Sequence, residues 1–231
     1  FFPSPVRWEN YMDVLTNGSY LHQYWNSIYI AWLATLITIL LAAFSGYAFA
    51  RFHFTGRNLC FLLLLSMLMI PGEVTIIPLF LMMSEIGWVN THIPLIIIPI
   101  FGANGAFAVF VFRQFFLSLP YELEEAARVD GSSKIGTFLR IMLPLSIPAI
   151  STVTIFTFLH NWDDFTNPLI FIRSELKMTL PVGLSLFSDE AGTVWHELMS
   201  AITMATLPLL LVFFLAQRQF IEGMTAGGVK E

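Results

Sequence analysis

Residues 118–144, SLPYELEEAARVDGSSKIGTFLRIMLP, form a predicted charged helical hairpin between segments too apolar for water. Pro120 followed by Glu122, Glu124 and Glu125 suits the first turn of a helix, where backbone N–H groups are unpaired and the dipole end is positive. Gly131 suits its end, because a left-handed C-terminal residue costs glycine nothing. Glu124 and Arg128 stand four apart and can pair, while Leu123, Ala126 and Ala127 make a narrow apolar stripe whose two alanines permit close approach. Ser132 or Ser133 can cap a second helix, in which Ile135, Phe138, Leu139 and Met142 recur at helical spacing and would anchor the hairpin. The chemistry on offer is docking rather than bond-making. An amphipathic connector between two spans would carry the same periodicity, and periodicity alone leaves both readings open.

Other polar residues stand where apolar ones are expected. Glu73 is the only acid deep within a predicted span, where an ionised carboxylate costs a few kcal/mol unless it is protonated, paired or wetted. Pro71 and Gly72 beside it would free backbone groups that a cavity can hydrate, so Glu73 is a candidate pathway residue; a place near the headgroups or at a helix contact is the alternative. Asn104 is a second candidate, with an interhelical hydrogen bond as its plainer role. Asn161, Trp162, Asp163, Asp164 and Asn167 cluster about 20 residues past Pro144, near the far membrane face at roughly 1.5 Å per residue. Acids and amides beside an aromatic face suit a sugar, whereas Trp162 alone would suit an interfacial anchor.

Several chemistries are missing. No GxxxxGK[ST] loop is present and none of Lys134, Lys177 and Lys230 follows a glycine, so the chain is predicted not to be an ATPase. His196 and Glu197 do not continue to a second histidine, no serine sits in a GxSxG elbow, and the single Cys60 excludes an internal disulfide framework and a cysteine metal cluster. Neither a cofactor nor a metal is expected, and the chain is not expected to be an enzyme. With a net charge of −5 it offers no surface for nucleic acid.

The elements that must position these residues are membrane spans. The 231 residues are 56% hydrophobic and only 12% charged, against about a quarter charged in a soluble domain. Uncharged or nearly uncharged stretches near 27–50, 58–83, 93–112, 141–161 and 198–217 are each long enough to cross a hydrocarbon core that needs about 20 residues. The expected architecture is all-α, a polytopic membrane helix bundle of five spans. Residues 1–24 would be an external segment with a loop at Asn17 and Gly18, 25–220 the transmembrane domain with the loop 113–140, and 221–231 a tail. Pro94, Pro99, Gly102, Asn104 and Gly105 predict a bent third span. Eight of the eleven Lys and Arg residues fall in the 51–57 turn, the hairpin and the tail, which the positive-inside rule places in the cytoplasm together with the C-terminus.

Glu125, Ala126, Ala127, three residues, Gly131, nine residues, then Ile141, Met142, Leu143 and Pro144 closely resembles the EAA loop of bacterial ABC importer permeases. The tail LAQRQFIEGMTAGGVKE resembles the C-terminus of the MalG type of carbohydrate permeases, and YAFARFHFTGR, MIPGEVTIIPLF and FRQFFLSLP extend the likeness over nearly the whole chain. The resemblance implies the ABC type 1 importer permease fold and import of a carbohydrate across the bacterial inner membrane. In that family the EAA loop couples to a separate ATPase, so Glu122, Glu125, Ala126, Ala127, Asp130 and Gly131 would dock and 135–142 would brace them. Thr225, Gly227 and Gly228 of the tail would reach the ATPase; a frayed glycine-containing end is the alternative. The implied partners are a second permease, a different chain, together with two ATP-binding subunits that hold the ATP, an extracytoplasmic solute-binding protein and the lipid bilayer. Six spans are common there, so the first is expected to be missing from this sequence. The same machine importing glycerol 3-phosphate or another small solute is an alternative. So is an ion-coupled secondary transporter using Glu73, although no internal repeat supports it.

Overall fold

The computed structural model describes residues 7–16, 18–189 and 192–228, without the side chains of Asp189 and of 218–228. The chain is an all-α bundle whose pillar is a 32-residue helix. After α1 (Glu9–Thr16), the pillar α2 (Tyr20–Arg51) runs without a proline or a charge until Arg51 at its last position. Residues 20–24, expected in an external segment, are therefore its first turn. Asn17 lies outside the described residues, and Gly18 beside it has φ 69°.

Next come α3 (Arg57–Ser66), one 3-10 turn and α4 (Gly72–Glu85), bent by 102° where Pro71 removes a donor and Gly72 restarts the helix. The pair α5 (Ile93–Phe101) and α6 (Ala103–Ser118) bends by 45° at Gly102. Gly105 permits that bend, because a Cβ there would lie 1.8 Å from the Ile100 carbonyl oxygen.

The hairpin follows as α7 (Glu122–Val129), α8 (Lys134–Thr137), a π-helical turn Phe138–Met142 and α9 (Leu143–Leu145). The chain then turns by 72° at Ser146 into α10 (Ile147–Trp162). Beyond it lie α11 (Thr166–Phe171), α12 (Leu180–Ser185), a two-residue strand pair with Ser188 opposite Thr193, and α13 (Trp195–Gly228). Two helices, α2 and α13, are long and apolar enough to cross a membrane unbroken, with mean hydropathies of 2.2 and 2.3. The three bent pairs bring the candidate spans to five.

Small residues let α2 stand at the centre. Ala31, Ala34, Thr35, Thr38, Ala42, Ala43, Gly46 and Ala50 are all buried along it, mostly three or four apart, so they line the sides against which α6 and α10 pack. At Gly46 the approach leaves no room: an added Cβ would lie 2.6 Å from the Phe112 Cβ and 2.9 Å from the Arg113 nitrogen. Around this contact Tyr47, Phe112, Phe116, Phe138 and Met142 form the core that faces the hairpin.

Polar side chains tie the opposite end of α2 to the segment that follows α11. Asn26 Nδ2 donates to the carbonyls of Leu176 and Met178, both at 2.9 Å, and the Leu180 amide donates to Ser27 Oγ at 2.7 Å. Asn90, with φ 61°, accepts on its side-chain oxygen from the amides of Arg173 and Ser174. Side chains thus satisfy part of the segment 172–179, beside the backbone bonds of its 3-10 turn Glu175–Lys177.

A Gly46→Val substitution forces α2 and α6 apart. It is expected to lower stability in detergent by about 1–3 kcal/mol, the usual cost of overpacking a filled contact. Gly72→Ala, with nothing within 4 Å of its Cβ, serves as the control and should leave the thermal midpoint in place.

Candidate functional site

The hairpin owes its shape to its caps. Tyr121 precedes α7, whose first turn carries Glu122, Glu124 and Glu125 beneath the positive end of the helix dipole. At the other end Ser132 N donates to the Ala127 carbonyl at 2.9 Å and Gly131 N to that of Arg128 at 3.0 Å, a Schellman pair closed by Gly131 at φ 77°. Of the two candidate caps, Ser133 takes the role, its Oγ accepting from Gly136 N at 3.1 Å. The chain therefore leaves α7 and enters α8 across four residues, 130–133.

These turns set which side chains face inward. Ala127 is buried while Glu122, Glu125, Ala126, Asp130 and Gly131 are exposed, so the predicted stripe of Leu123, Ala126 and Ala127 is divided between the two sides, with Leu123 half-buried. The predicted anchoring face is likewise narrower than its periodicity. Phe138 (2% exposed) and Met142 (0%) enter the core, but Ile135 (67%) and Leu139 (47%) do not. One cause is the π-helical turn Phe138–Met142, whose extra residue per turn rotates the helix away from a regular 3.6-residue stripe. Phe138 packs on Tyr47 and Phe44, with ring centroids 5.0 and 4.6 Å away. The exposed side is acidic and small, bordered by the bare apolar Val129 and Ile135.

Glu124 does not pair with Arg128. Its partner is Arg51, at the end of α2, with Nε 3.0 Å from Oε1 and the arginine side chain fully buried. The approach is a charge contact without an aligned N–H, since Nε and Oε1 make no hydrogen bond. Arg51 Nη2 donates to the Leu119 carbonyl at 2.7 Å, and the guanidinium lies 4.1 Å from the Tyr121 ring centroid. Arg51 entered the sequence reading only as a basic residue of a turn. Its position as the first charge after an uncharged helix was the available signal.

The candidate pathway residues are not gathered into one site. Glu73 is exposed in the first turn of α4, at the 102° bend, where the dipole favours a carboxylate. Asn104 is half-buried in the first turn of α6, its Nδ2 enclosed without a partner. Asn161 is buried and donates to the Thr157 carbonyl at 2.7 Å. Trp162 stacks on Phe158 at 5.7 Å and meets Tyr24 edge-on at 6.0 Å, inside the core. Core packing thus replaces both roles expected for it, a platform for sugar and an interfacial anchor.

Asp164 and Asn167 are bound to each other, Oδ2 accepting from Nδ2 at 2.8 Å and Oδ1 from the Asn167 amide at 3.2 Å. That pairing starts α11 and occupies both residues locally. Asp163 remains: it lies with His160, Asp164 and Thr166 on an open cleft of about 500 Å³, and desolvation by burial pushes its carboxyl pKa upward. Thr225, Gly227 and Gly228 continue the α13 backbone, and the Thr225 side chain lies outside the described residues.

Comparison with known proteins gives a consistent result. Residues 38–225 match the family described as "Binding-protein-dependent transport system inner membrane component". The arabinooligosaccharides transport system permease protein AraQ of Halalkalibacterium halodurans is 39% identical over 235 residues, covering 100% of this chain and 82% of the relative. The trehalose/maltose transport system permease protein MalG of Thermococcus litoralis is 34% identical over 228 residues, covering 96% and 81%. Among solved structures, a bacterial ABC transporter involved in import of the acidic polysaccharide alginate contains a chain of the same fold, at TM-score 0.80 and 22% identity over 95% of this chain and 82% of that one.

The division of the hairpin's apolar residues is open to direct test. Phe138→Ala empties a buried ring site and should cost about 3–5 kcal/mol, whereas Ile135→Ala at an exposed site should stay within about 0.5 kcal/mol. Thermal unfolding of the two variants in one detergent distinguishes this arrangement from a symmetric four-residue anchor, in which both would lose stability.

Proposed function

Because the chain belongs to the binding-protein-dependent transport system inner membrane component family, of the carbohydrate ABC importer permeases, we propose that it is the permease subunit of an ATP-driven carbohydrate importer. It forms half of a translocation pathway in the bacterial inner membrane and binds no nucleotide itself. A second permease, a different chain, supplies the other half. Two ATP-binding subunits dock from the cytoplasm and a solute-binding protein delivers substrate from outside. The hairpin and the C-terminus face the cytoplasm, in keeping with the eight Lys and Arg residues on that side.

The observation that carries this reading is the two-sided hairpin. Its inner side is fixed in the core by Ala127, Phe138 and Met142, while Glu122, Glu125, Ala126, Asp130 and Gly131 stand free on the outer side. A partner cleft that takes the outer side can push a rigid body. Closure of the two ATP-binding subunits would then move α7 and rock the spans from inward-open to outward-open. Thr225, Gly227 and Gly228 of the tail would add a second contact with the same subunits.

A carbohydrate cargo agrees with the substrates for which both relatives are named, arabino-oligosaccharides and trehalose or maltose. The predicted spans contain no Lys or Arg to hold a phosphate, which favours a neutral sugar over glycerol 3-phosphate. Asp163 and the cleft it lines are the candidate polar surface toward the outer face, with exposed Glu73 and half-buried Asn104 as further candidates at helix breaks.

Gly131→Pro tests the reading, since proline holds φ near −65° and this turn needs 77°. In the reconstituted complex of both permeases, ATPase and binding protein, substrate-stimulated ATP hydrolysis should fall at least tenfold while the subunits still co-purify. Unchanged stimulation would remove the hairpin from coupling, and uptake driven by an ion gradient without ATP would identify a secondary transporter instead.

A further inference from the structure

Motion of the hairpin is useful only if a span follows it, and Ala127, Phe138 and Met142 join it to the core through apolar contacts without a directional bond. We infer that Arg51 is the positioning residue that locks α7 to α2, so that the docking helix and the central span move as one body. The inference rests on the coupling role proposed for the hairpin and names the connection through which it acts.

Three contacts converge on this one side chain. Its guanidinium reaches the Leu119 carbonyl that ends α6, the Tyr121 ring that precedes α7 and the Glu124 carboxylate in the first turn of α7. Tyr47, one turn earlier on α2, also interacts with Glu124. Among the described residues, Arg51 with Glu124 is the one ion pair that joins two elements; His196 with Glu197 joins neighbours on a single helix.

Burial gives the pair its stiffness. Water does not reach the arginine side chain and only 17% of the Glu124 side chain is exposed, so separating the charges would leave a guanidinium unpaired in an apolar setting. A planar guanidinium can hold a carbonyl, a ring face and a carboxylate at once; an ammonium cannot. Because Gly46 seats α2 directly on α6, a displacement of α7 through Arg51 reaches both helices together.

The test uses the assembled complex in liposomes, comparing Arg51→Met, Glu124→Gln, the reversed pair Arg51→Glu with Glu124→Arg, and Glu125→Lys on the exposed docking side. Subunit co-purification, substrate-stimulated ATP hydrolysis and solute moved per ATP are read for each. Arg51→Met and Glu124→Gln are expected to co-purify yet move at least fivefold less solute per ATP, and the reversed pair to stay below half of the original ratio, because a carboxylate at 51 cannot donate to the Leu119 carbonyl. A normal ratio in both single variants overturns the inference, as does failure of all three Arg51 and Glu124 variants to assemble, which would make the pair a folding element only. If Glu125→Lys abolishes stimulation while the Arg51 variants transport normally, coupling through the hairpin survives and the lock alone is wrong. If all four variants, Glu125→Lys included, hydrolyse and transport normally, the coupling role itself has failed.

Discussion

Helices in lipid gain little from the hydrophobic effect when they meet, because the solvent they leave is as apolar as their side chains. Close backbone approach must hold such a bundle, and here it depends on the small residues of α2. Gly46 against Phe112 is a point of close backbone approach, and Ala42, Ala43 and Ala50 continue the same seam. Several large side chains on α2 face the other way: Leu36, Leu40 and Leu41 are exposed, as befits a lipid-facing or partner-facing side. With α6 and α10 both packed on it, the helix acts as the frame to which everything else is referred.

The bends follow from backbone hydrogen bonding inside that frame. A straight span satisfies its own amides and carbonyls, so any break must be covered by protein or by a cavity. At Ser146 the cover is local: its amide donates to the Met142 and Leu143 carbonyls and its hydroxyl to Leu143 at 2.7 Å. At Gly102 it is steric, since only glycine at 105 lets the first turn of α6 fold back on the last carbonyls of α5. Pro71 and Gly72 make the sharpest break, and Glu73 sits at the new helix start, where a carboxylate is favoured without any ligand.

Much of this was legible in the chain. Stretches of 20 or more uncharged residues fixed the helical membrane architecture, and proline and glycine positions marked the breaks at 71–72 and 102, whereas the 72° turn at Ser146 was not anticipated. The hairpin's acids, Gly131 and serine cap also fell where capping rules put them. The side-chain partners were another matter. Helical periodicity offered Arg128 to Glu124 at four residues' distance, but the structure gives it Arg51, 73 residues earlier, a contact that no local rule contains. Periodicity also set Ile135 beside Phe138, because it assumes a regular helix and cannot foresee a π turn. Trp162 has the composition of a sugar site and the environment of a core residue; only the packing of Tyr24 and Phe158 around it separates the two.

The position of the long-range ion pair is itself informative. A charge at the middle of α2 would face lipid or the small-residue seam, and both are costly to reach. At the last residue of the helix an arginine can lie over the end of α6 and the start of α7, where a carbonyl, an aromatic face and a carboxylate already meet. The apolar seam above it resists separation of α2 and α6, and the ion pair beneath resists displacement of α7 from them. The exposed acids of α7 carry no such tie and remain free to meet a partner. One short helix is thereby held hard on one side and left open on the other, which is what the proposed coupling to a soluble subunit requires.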